Sequence, residues 1–332
     1  ESNPMIRLFA ASRCGRAGPA GVAAGAARRA AVARGSPPGK PRPRRFCAAG
    51  GGGGVVSSAS SGVRSAPALP SYPPSLALER KKVINAAVSQ TGVGETPKIP
   101  DGFLSEENLM WQALFRQVAA VASRHACREY LDALASGARY SQDAIPDLKG
   151  LSERLYEATG WQVAPVTGVI TSEQFFAYLE ARQMPCTQYI RPHTKFAFTE
   201  DPDCIHELLG HVPALFIPSW ARLSQAFGST AARLVERGEK AKLKQLEVMY
   251  FAVMEKGLVR QAGEVKAIGA SVISGSGELV HAMEHPEKHL PLEPGLVMQY
   301  GSTCETDFME HFFVGESVDS MAVVVTEWMD TL

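Results

Sequence analysis

Residues 201–213 read DPDCIHELLGHVP. Two imidazoles, His206 and His211, stand five positions apart in a run that is otherwise rich in leucine. Zinc peptidases use H-E-x-x-H, with the ligands four apart on one helical face. Five steps at ~100° per residue turn the second ring about 140° from the first on an ideal helix. Both rings can hold one ion only if the helix is distorted. Gly210 lets a turn distort and Pro213 discourages continuation. The sequence therefore predicts His206 within a helix and His211 at its distorted end, turned back toward the same ion.

Two neutral imidazoles alone make a weak site. A non-haem iron(II) centre adds one carboxylate on the same face and leaves other positions open. Glu255, in LEVMYFAVMEKGLV, is the leading third ligand. Its neighbours Tyr250, Phe251, Val253, Met254 and Leu258 are apolar, and a carboxylate facing such surroundings is costly unless paired or metal-bound. Glu207 and Glu247 are rivals on spacing alone, and histidines satisfied without metal are the competing reading.

The rest of the chain frames that site. Of 332 residues, 45% are hydrophobic and 20% charged, which is ordinary for a globular protein with a sizeable core. No run approaches the ~18 apolar residues of a membrane span. The formal charge of zero hides a split: residues 1–75 hold eleven Lys/Arg and one acid. That leaves 23 of the 34 basic and 33 of the 34 acidic residues to the body, net −10, which argues against nucleic acid as a partner. The six cysteines form no C-x-x-C pair, so free thiols are expected.

Residues 1–75 are rich in Ala, Gly, Arg, Ser and Pro and poor in acids and large apolar side chains. Such a segment buries too little surface to offset its conformational entropy. Its composition is that of an organelle transit peptide. A plain disordered tail and a nucleic-acid-binding arm are the competing readings. Met5 offers a start position behind the opening Glu1.

From residue 76 the pattern is mostly helical with small β pieces, a mostly α (α+β) class in one domain spanning 76–332. Helices are predicted at LALERKKVINAAVSQ, at SEENLMWQALFRQVAAVASRHACREYLDALA with Ser105 as its cap, and at DAIPDLKGLSERLYEATG ending at Gly160. Further helices are predicted at TSEQFFAYLEARQM, PSWARLSQAFGSTAARLVERG, KAKLKQLEVMYFAVMEKGLV and SVDSMAVVVTEWMDTL. WQVAPVTGVI and EVKAIGASVI read as strands, and QYIRPHTKFAFTEDPD as extended or looped.

At the histidine pair the chain strongly resembles the pterin-dependent aromatic amino acid hydroxylases, the family of phenylalanine, tyrosine and tryptophan hydroxylases. Their long signature P-D-x-x-H-E-L-L-G-H-V-P is present in full from Pro202 to Pro213. RHACREYLDAL, IPDLKGLSERLYEATGWQVAPVTGVI, CTQYIR, MEKGLV and GASVISGSGEL follow the family's order, so the likeness covers about 76–330. It implies that His206, His211 and Glu255 hold Fe(II), and that a reduced pterin, either tetrahydrobiopterin or a tetrahydrofolate-type pterin, acts with O2 to hydroxylate the ring of a free amino acid.

Further roles are carried by the same resemblance. Arg191 matches the arginine that clamps the substrate carboxylate, a task suited to a planar guanidinium, and Asp203 matches the acid that orients it. Thr199, Pro202, Ser274 and Glu278 match substrate-pocket positions or positions supporting the metal ligands. Glu207 matches the acid near the pterin, and Tyr250 a tyrosine beside the iron. Phe175 matches the aromatic that stacks on the pterin, with Gly168, Ile170 and Ser172 on the same loop. Departures are Thr199-Glu200-Asp201-Pro202-Asp203 for the usual T-P-E-P-D, Pro185 for a histidine of animal members, and Lys256 where an aromatic is usual. Phe251 stands where phenylalanine hydroxylases have tryptophan and tryptophan hydroxylases have phenylalanine.

The expected reaction is phenylalanine to tyrosine. Tryptophan 5-hydroxylation and an inactive metal- or amino-acid-binding homologue are the alternatives. A zinc hydrolase is disfavoured by the histidine spacing. The leader implies a plastid, with mitochondrion or cytoplasm as alternatives. The expected partner is a small-molecule amino acid, with no nucleic acid and no membrane. A monomer or dimer is expected instead of the animal-type tetramer, because neither a regulatory domain nor a tetramerising helix is recognised in the sequence.

Overall fold

The computed structural model describes residues 70–196, 201–302 and 308–332. The helices before the histidine motif are α1 (Pro74–Val88), α2 (Ser105–His125), α3 (Arg128–Asp132), α4 (Leu148–Thr159) and α5 (Ser172–Glu180). With them come strands β1 (Gln162–Val166) and β2 (Gln183–Thr187). Next are α6 (Val212–Ala214), α7 (Pro218–Glu236) and α8 (Lys240–Tyr250), then β3 (Leu258–Gln261) and β4 (Glu264–Ala267). The chain continues through α9 (Ala270–Ser274), α10 (Ser276–Glu284), β5 (His289–Pro291), α11 (Pro294–Tyr300), β6 (Phe312–Gly315) and α12 (Val318–Met329). Three π-helical segments are interposed: Ala133–Ala138, His206–His211 and Phe251–Glu255. The predicted mostly helical class with short strands is what is observed.

Local chemistry explains some boundaries. Thr171 accepts the Gln174 N–H at 3.2 Å while Gln174 accepts the Thr171 N–H at 3.0 Å, starting α5 with a reciprocal cap. Gly160, at φ 76°, ends α4 as expected. Other expectations need correction. Ser105 is the first residue of α2, and Leu104 takes the cap position. Leucine has no side-chain oxygen to offer there, and the Leu104 N–H is accepted instead by Glu107 at 2.7 Å. The long helix expected over 105–135 breaks at Ala126, whose extended backbone forms a bridge to Ala267. A sheet contact thus overrides a continuous helical pattern. The α5 helix stops at Glu180, and Gln183–Thr187 pairs in parallel with β1 over its full length. Of EVKAIGASVI only Glu264–Ala267 is strand; Ala270–Ser274 is helical, with Val272 and Ile273 buried.

The second sheet has the order β4-β3-β6-β5. Its β3–β4 hairpin turns on Ala262 and Gly263, both at positive φ, as a two-residue turn of matching twist demands. A single large apolar core joins α2, α4, α5, α7, α8 and α12 to both sheets and surrounds the two later π-helical segments. Tyr72 is buried in that core, and its hydroxyl donates to Glu107 at 3.3 Å. Cys127, Cys186 and Cys204 are free and buried, and Cys14, Cys47 and Cys304 lie outside the described residues. No helix among the described residues is long and apolar enough to cross a membrane.

Candidate metal centre

His206–His211 forms a π-helical turn, in which N–H groups bond five residues back. The Val212 N–H closes it on the Glu207 carbonyl. This winding brings residues five apart onto one face, which resolves the 140° conflict of an ideal helix. The two rings lie perpendicular, 89° between planes, with Nε2 atoms 3.1 Å apart. Phe251–Glu255 is the second π-helical turn, closed by the Lys256 N–H on the Phe251 carbonyl at 3.1 Å. It delivers Glu255, whose Oε1 lies 3.1 Å from His211 Nε2 and whose Oε2 lies 3.8 Å from His206 Nε2. Among the described residues these three form the group of histidine, cysteine and acidic side chains able to hold a metal, with ligand atoms within 4.8 Å of one another. Ligands at ~2.1 Å from one ion and at right angles stand about 3 Å apart, which is the spacing of His211 Nε2 from both His206 Nε2 and Glu255 Oε1. Glu247, a rival on spacing, is engaged elsewhere: it accepts from Ser172 at 2.6 Å and from Lys244 at 2.8 Å.

Gly210 and Pro213 act differently from expectation. A Cβ on Gly210 would meet the Ala270 carbonyl oxygen at 2.7 Å, so the glycine supplies space for α9 to press against the turn. Pro213 lies within α6, so the helix does not stop there. Proline has no N–H for the carbonyls of the preceding turn. The Tyr130 hydroxyl donates to the Leu209 carbonyl instead, at 2.5 Å.

The surroundings set the ligands' protonation. Ser274 Oγ donates to the Ala270 carbonyl at 2.8 Å, so at 3.1 Å it accepts from His206 Nδ1. This fixes the tautomer that leaves the His206 Nε2 lone pair for a metal. Burial drives the His206 pKa down to about 3, keeping the imidazole neutral. For Glu255, burial raises the pKa, but His211, His206 and the Ser271 hydroxyl at 2.7 Å together hold it well below the usual range. Glu255 Oε1 is buried with no donor near it other than the His211 ring nitrogen. An ionised, solvent-excluded carboxylate oxygen in that state is costly unless a cation meets it. Two imidazole nitrogens and one such oxygen fit a divalent transition metal.

Beside the triad, Arg191 meets Asp203 through Nε–Oδ2 and Nη2–Oδ1 contacts, both 2.7 Å. Both residues are buried. Asp203 also accepts the Arg191 N–H at 2.9 Å and the His206 N–H at 3.3 Å, tying the guanidinium to the start of the metal-binding turn.

A family model for biopterin-dependent aromatic amino acid hydroxylases matches residues 67–332. The chain belongs to this family. Tyrosine 3-monooxygenase of Schistosoma mansoni is 31% identical over 268 residues, covering 79% of this chain and 56% of that protein. Tryptophan 5-hydroxylase of Xenopus laevis is 34% identical over 256 residues, covering 76% and 52%. The chain thus spans about half the length of these curated relatives. The iron- and phenylalanine-bound phenylalanine hydroxylase of Chromobacterium violaceum superposes with a TM-score of 0.63 at 26% identity, over 69% of this chain and 82% of that one. The phenylalanine hydroxylase of Legionella pneumophila gives 0.63 at 26% identity, over 69% and 90%.

The remaining sequence candidates lie as follows. Glu207 follows His206 on the same turn and is buried; burial above all, then Glu255 and Asp203, push its pKa well above the ordinary carboxylate range. Tyr250 immediately precedes the second π-helical turn, and its ring meets Phe175, Phe176 and Phe227 edge-on at 5.3, 5.6 and 5.2 Å. Phe175 is buried on the first turn of α5. Gly168 and Ile170 lie on the loop before it, partly exposed, while the Ser172 hydroxyl is directed to Glu247. Pro202 is half-buried, and its carbonyl accepts from Thr187 at 3.1 Å. Phe251 opens the second π-helical turn and is buried. Glu278 pairs with Lys256. Thr199 lies outside the described residues. Sequence reasoning missed Ser271 and Tyr130. Ser271 and Ser274 stand three apart in GASVIS, a spacing that places two hydroxyls on one helical face.

Proposed function

We propose that this hydroxylase binds Fe(II) at His206, His211 and Glu255 and uses a reduced pterin and O2 to convert free L-phenylalanine to L-tyrosine. The observation that carries the proposal is the buried facial triad next to the Arg191–Asp203 pair. Iron held there supplies the redox chemistry that activates oxygen. The chain's own groups do the rest. His206 presents Nε2 because Ser274 holds the proton at Nδ1. Asp203 takes two of the five N–H groups of Arg191 and leaves the others for the amino acid's carboxylate. Glu207, whose pKa burial pushes well up toward the protonated form, offers a hydrogen-bond donor suited to an acceptor on the pterin ring. Gly168, Ile170, Ser172 and Phe175 form the pterin side of this reading; Thr199, Pro202, Phe251, Ser274 and Glu278 form the amino acid side. The C. violaceum enzyme with bound phenylalanine supports the choice of substrate.

Tryptophan 5-hydroxylation is the second reading. It is favoured by Phe251, where a smaller ring leaves room for an indole, and by the likeness to the Xenopus enzyme. The test is anaerobic loading with Fe(II), then addition of O2 and each pterin type with phenylalanine, tryptophan or tyrosine. Tyrosine from phenylalanine supports the main reading; 5-hydroxytryptophan as the dominant product transfers it to the second. Residues 76–332 form the catalytic domain on this proposal, and the acid-poor leader is an organelle address, plastid first. A reporter carrying residues 1–75 that stays in the cytoplasm would refute the address.

A further inference from the structure

Lys256 directly follows the metal ligand Glu255 and has 1% of its side chain exposed. Lysine is rarely buried so completely. Its Nζ lies 2.5 Å from Glu278 Oε2, and 5.6 Å from the centre of the Phe251 ring. Glu278 is on the first turn of α10, and its other carboxylate oxygen is buried without a hydrogen-bond partner. Apolar side chains of similar volume would fill this space at less cost in desolvation, so stability alone does not account for the pair.

The pair's place in the fold points to another role. Lys256 is the residue whose N–H closes the π-helical turn that delivers Glu255, and there the backbone leaves the helix, at φ −121° and ψ 4°. Its side chain is anchored on α10. The neighbouring α9 supplies the Ser271 hydroxyl to Glu255 and the Ser274 hydroxyl to His206. A Cβ on Gly269, just before α9, would lie 2.5 Å from the Glu255 carbonyl oxygen, so the two segments are in close register. The α9–α10 segment therefore grips both metal-binding turns, through Ser274 on the first and through Ser271 and Glu278 on the second.

We propose that Lys256, through its ion pair with Glu278, is a positioning residue for Glu255. The pair fixes the exit of the π-helical turn so that the carboxylate stays directed at the two histidines. This inference rests on the reading of the triad as a metal centre.

The test uses Co(II) as probe, with affinity from chelator competition and geometry from the ligand-field absorption spectrum. The full chain is compared with Lys256→Arg, Lys256→Met and the double variant Lys256→Met/Glu278→Leu. Failure of the unaltered protein to bind Co(II) would overturn the metal-centre reading itself. Given binding, Lys256→Met is expected to weaken affinity about 10- to 100-fold, as loss of groups supporting metal ligands does, and to shift the spectrum. Lys256→Arg, which keeps a cation on Glu278, is expected to retain the native spectrum. The double variant removes both charges of this pair, so that Glu278 is not left as an orphaned carboxylate, yet is expected to keep the weakened affinity. A double variant with native affinity and spectrum would overturn the positioning role, and it decides the matter if Lys256→Met does not fold.

Discussion

The Nδ1 of His206 lies 3.1 Å from the Ser274 hydroxyl oxygen, whose own proton is committed to the Ala270 carbonyl. The direction of this bond is thereby settled, and with it the nitrogen left free toward His211 and Glu255. Ser274→Ala removes the acceptor and leaves the ring free to rotate or change tautomer. The expected result is a loss of Fe(II) affinity of about 10- to 100-fold with little change in helix content. Equilibrium dialysis against Fe(II) under argon, alongside circular dichroism, checks both halves.

Asp203 balances a buried guanidinium, so its removal leaves a charge without a partner. Asp203→Leu is expected to destabilise the fold by roughly 3–5 kcal/mol, the usual range for breaking a buried pair from one side. Arg191→Lys keeps the charge but loses the planar fork. It is expected to raise the KM for the amino acid at least about tenfold, equivalent to ~1.4 kcal/mol, with a smaller change in kcat. Urea titration of the first variant and steady-state kinetics of the second separate the two effects.

Glu207 gives a pH signature. Its folded pKa is raised by burial, so above pH 4.5, the ordinary value for its carboxyl, the folded state keeps a proton that the unfolded state has lost. Its contribution to stability is full below that pH and declines as pH rises. Glu207→Gln removes this dependence. In metal-free protein the variant's stability relative to the parent is therefore expected to increase from pH 4.5 upward, by up to about 1.4 kcal/mol per unit. Denaturant unfolding of both proteins at pH 5, 6 and 7 reads the difference; a constant difference would refute a protonated Glu207.

Gly210 faces backbone, which cannot swing aside as a side chain can. Gly210→Ala places a methyl 2.7 Å from the Ala270 carbonyl oxygen and pushes α9 away from the metal-binding turn. A loss of about 1–3 kcal/mol is expected from such overpacking. Thermal unfolding of the apo protein would show it as a lowered midpoint.

Phe251 is the position that separates the two substrate readings. Phe251→Trp is expected to reduce kcat/KM for tryptophan relative to phenylalanine about tenfold, within the ~1–3 kcal/mol a pocket exerts over size. Competition between the two amino acids in one reaction gives the ratio directly.

The three ligands are legible in the sequence because their chemistry is unusual for their surroundings. Paired histidines and a lone glutamate among apolar residues are costly without a shared cation. The π-helical turns are less legible, since periodicity arguments assume a 3.6-residue helix; the five-residue spacing of His206 and His211 shows the need for distortion without its form. The break at Ala126 is hidden because the apolar pattern runs through it and the deciding contact, with Ala267, is remote. The three-residue β5 strand and the proline-initiated α11 carry too few residues for any period to register. The Lys256–Glu278 pair links positions with no periodic relation, so the lysine reads in the sequence only as an anomaly.

The most direct test of the central claim is the fate of labelled oxygen. Fe(II)-loaded protein is supplied with reduced pterin, phenylalanine and 18O2, and the amino acid product is weighed by mass spectrometry. The proposed function predicts tyrosine carrying one 18O atom, with product lost when Glu255 is replaced by glutamine. Stoichiometric iron at the site with no hydroxylated product from phenylalanine, tryptophan or tyrosine would contradict the claim.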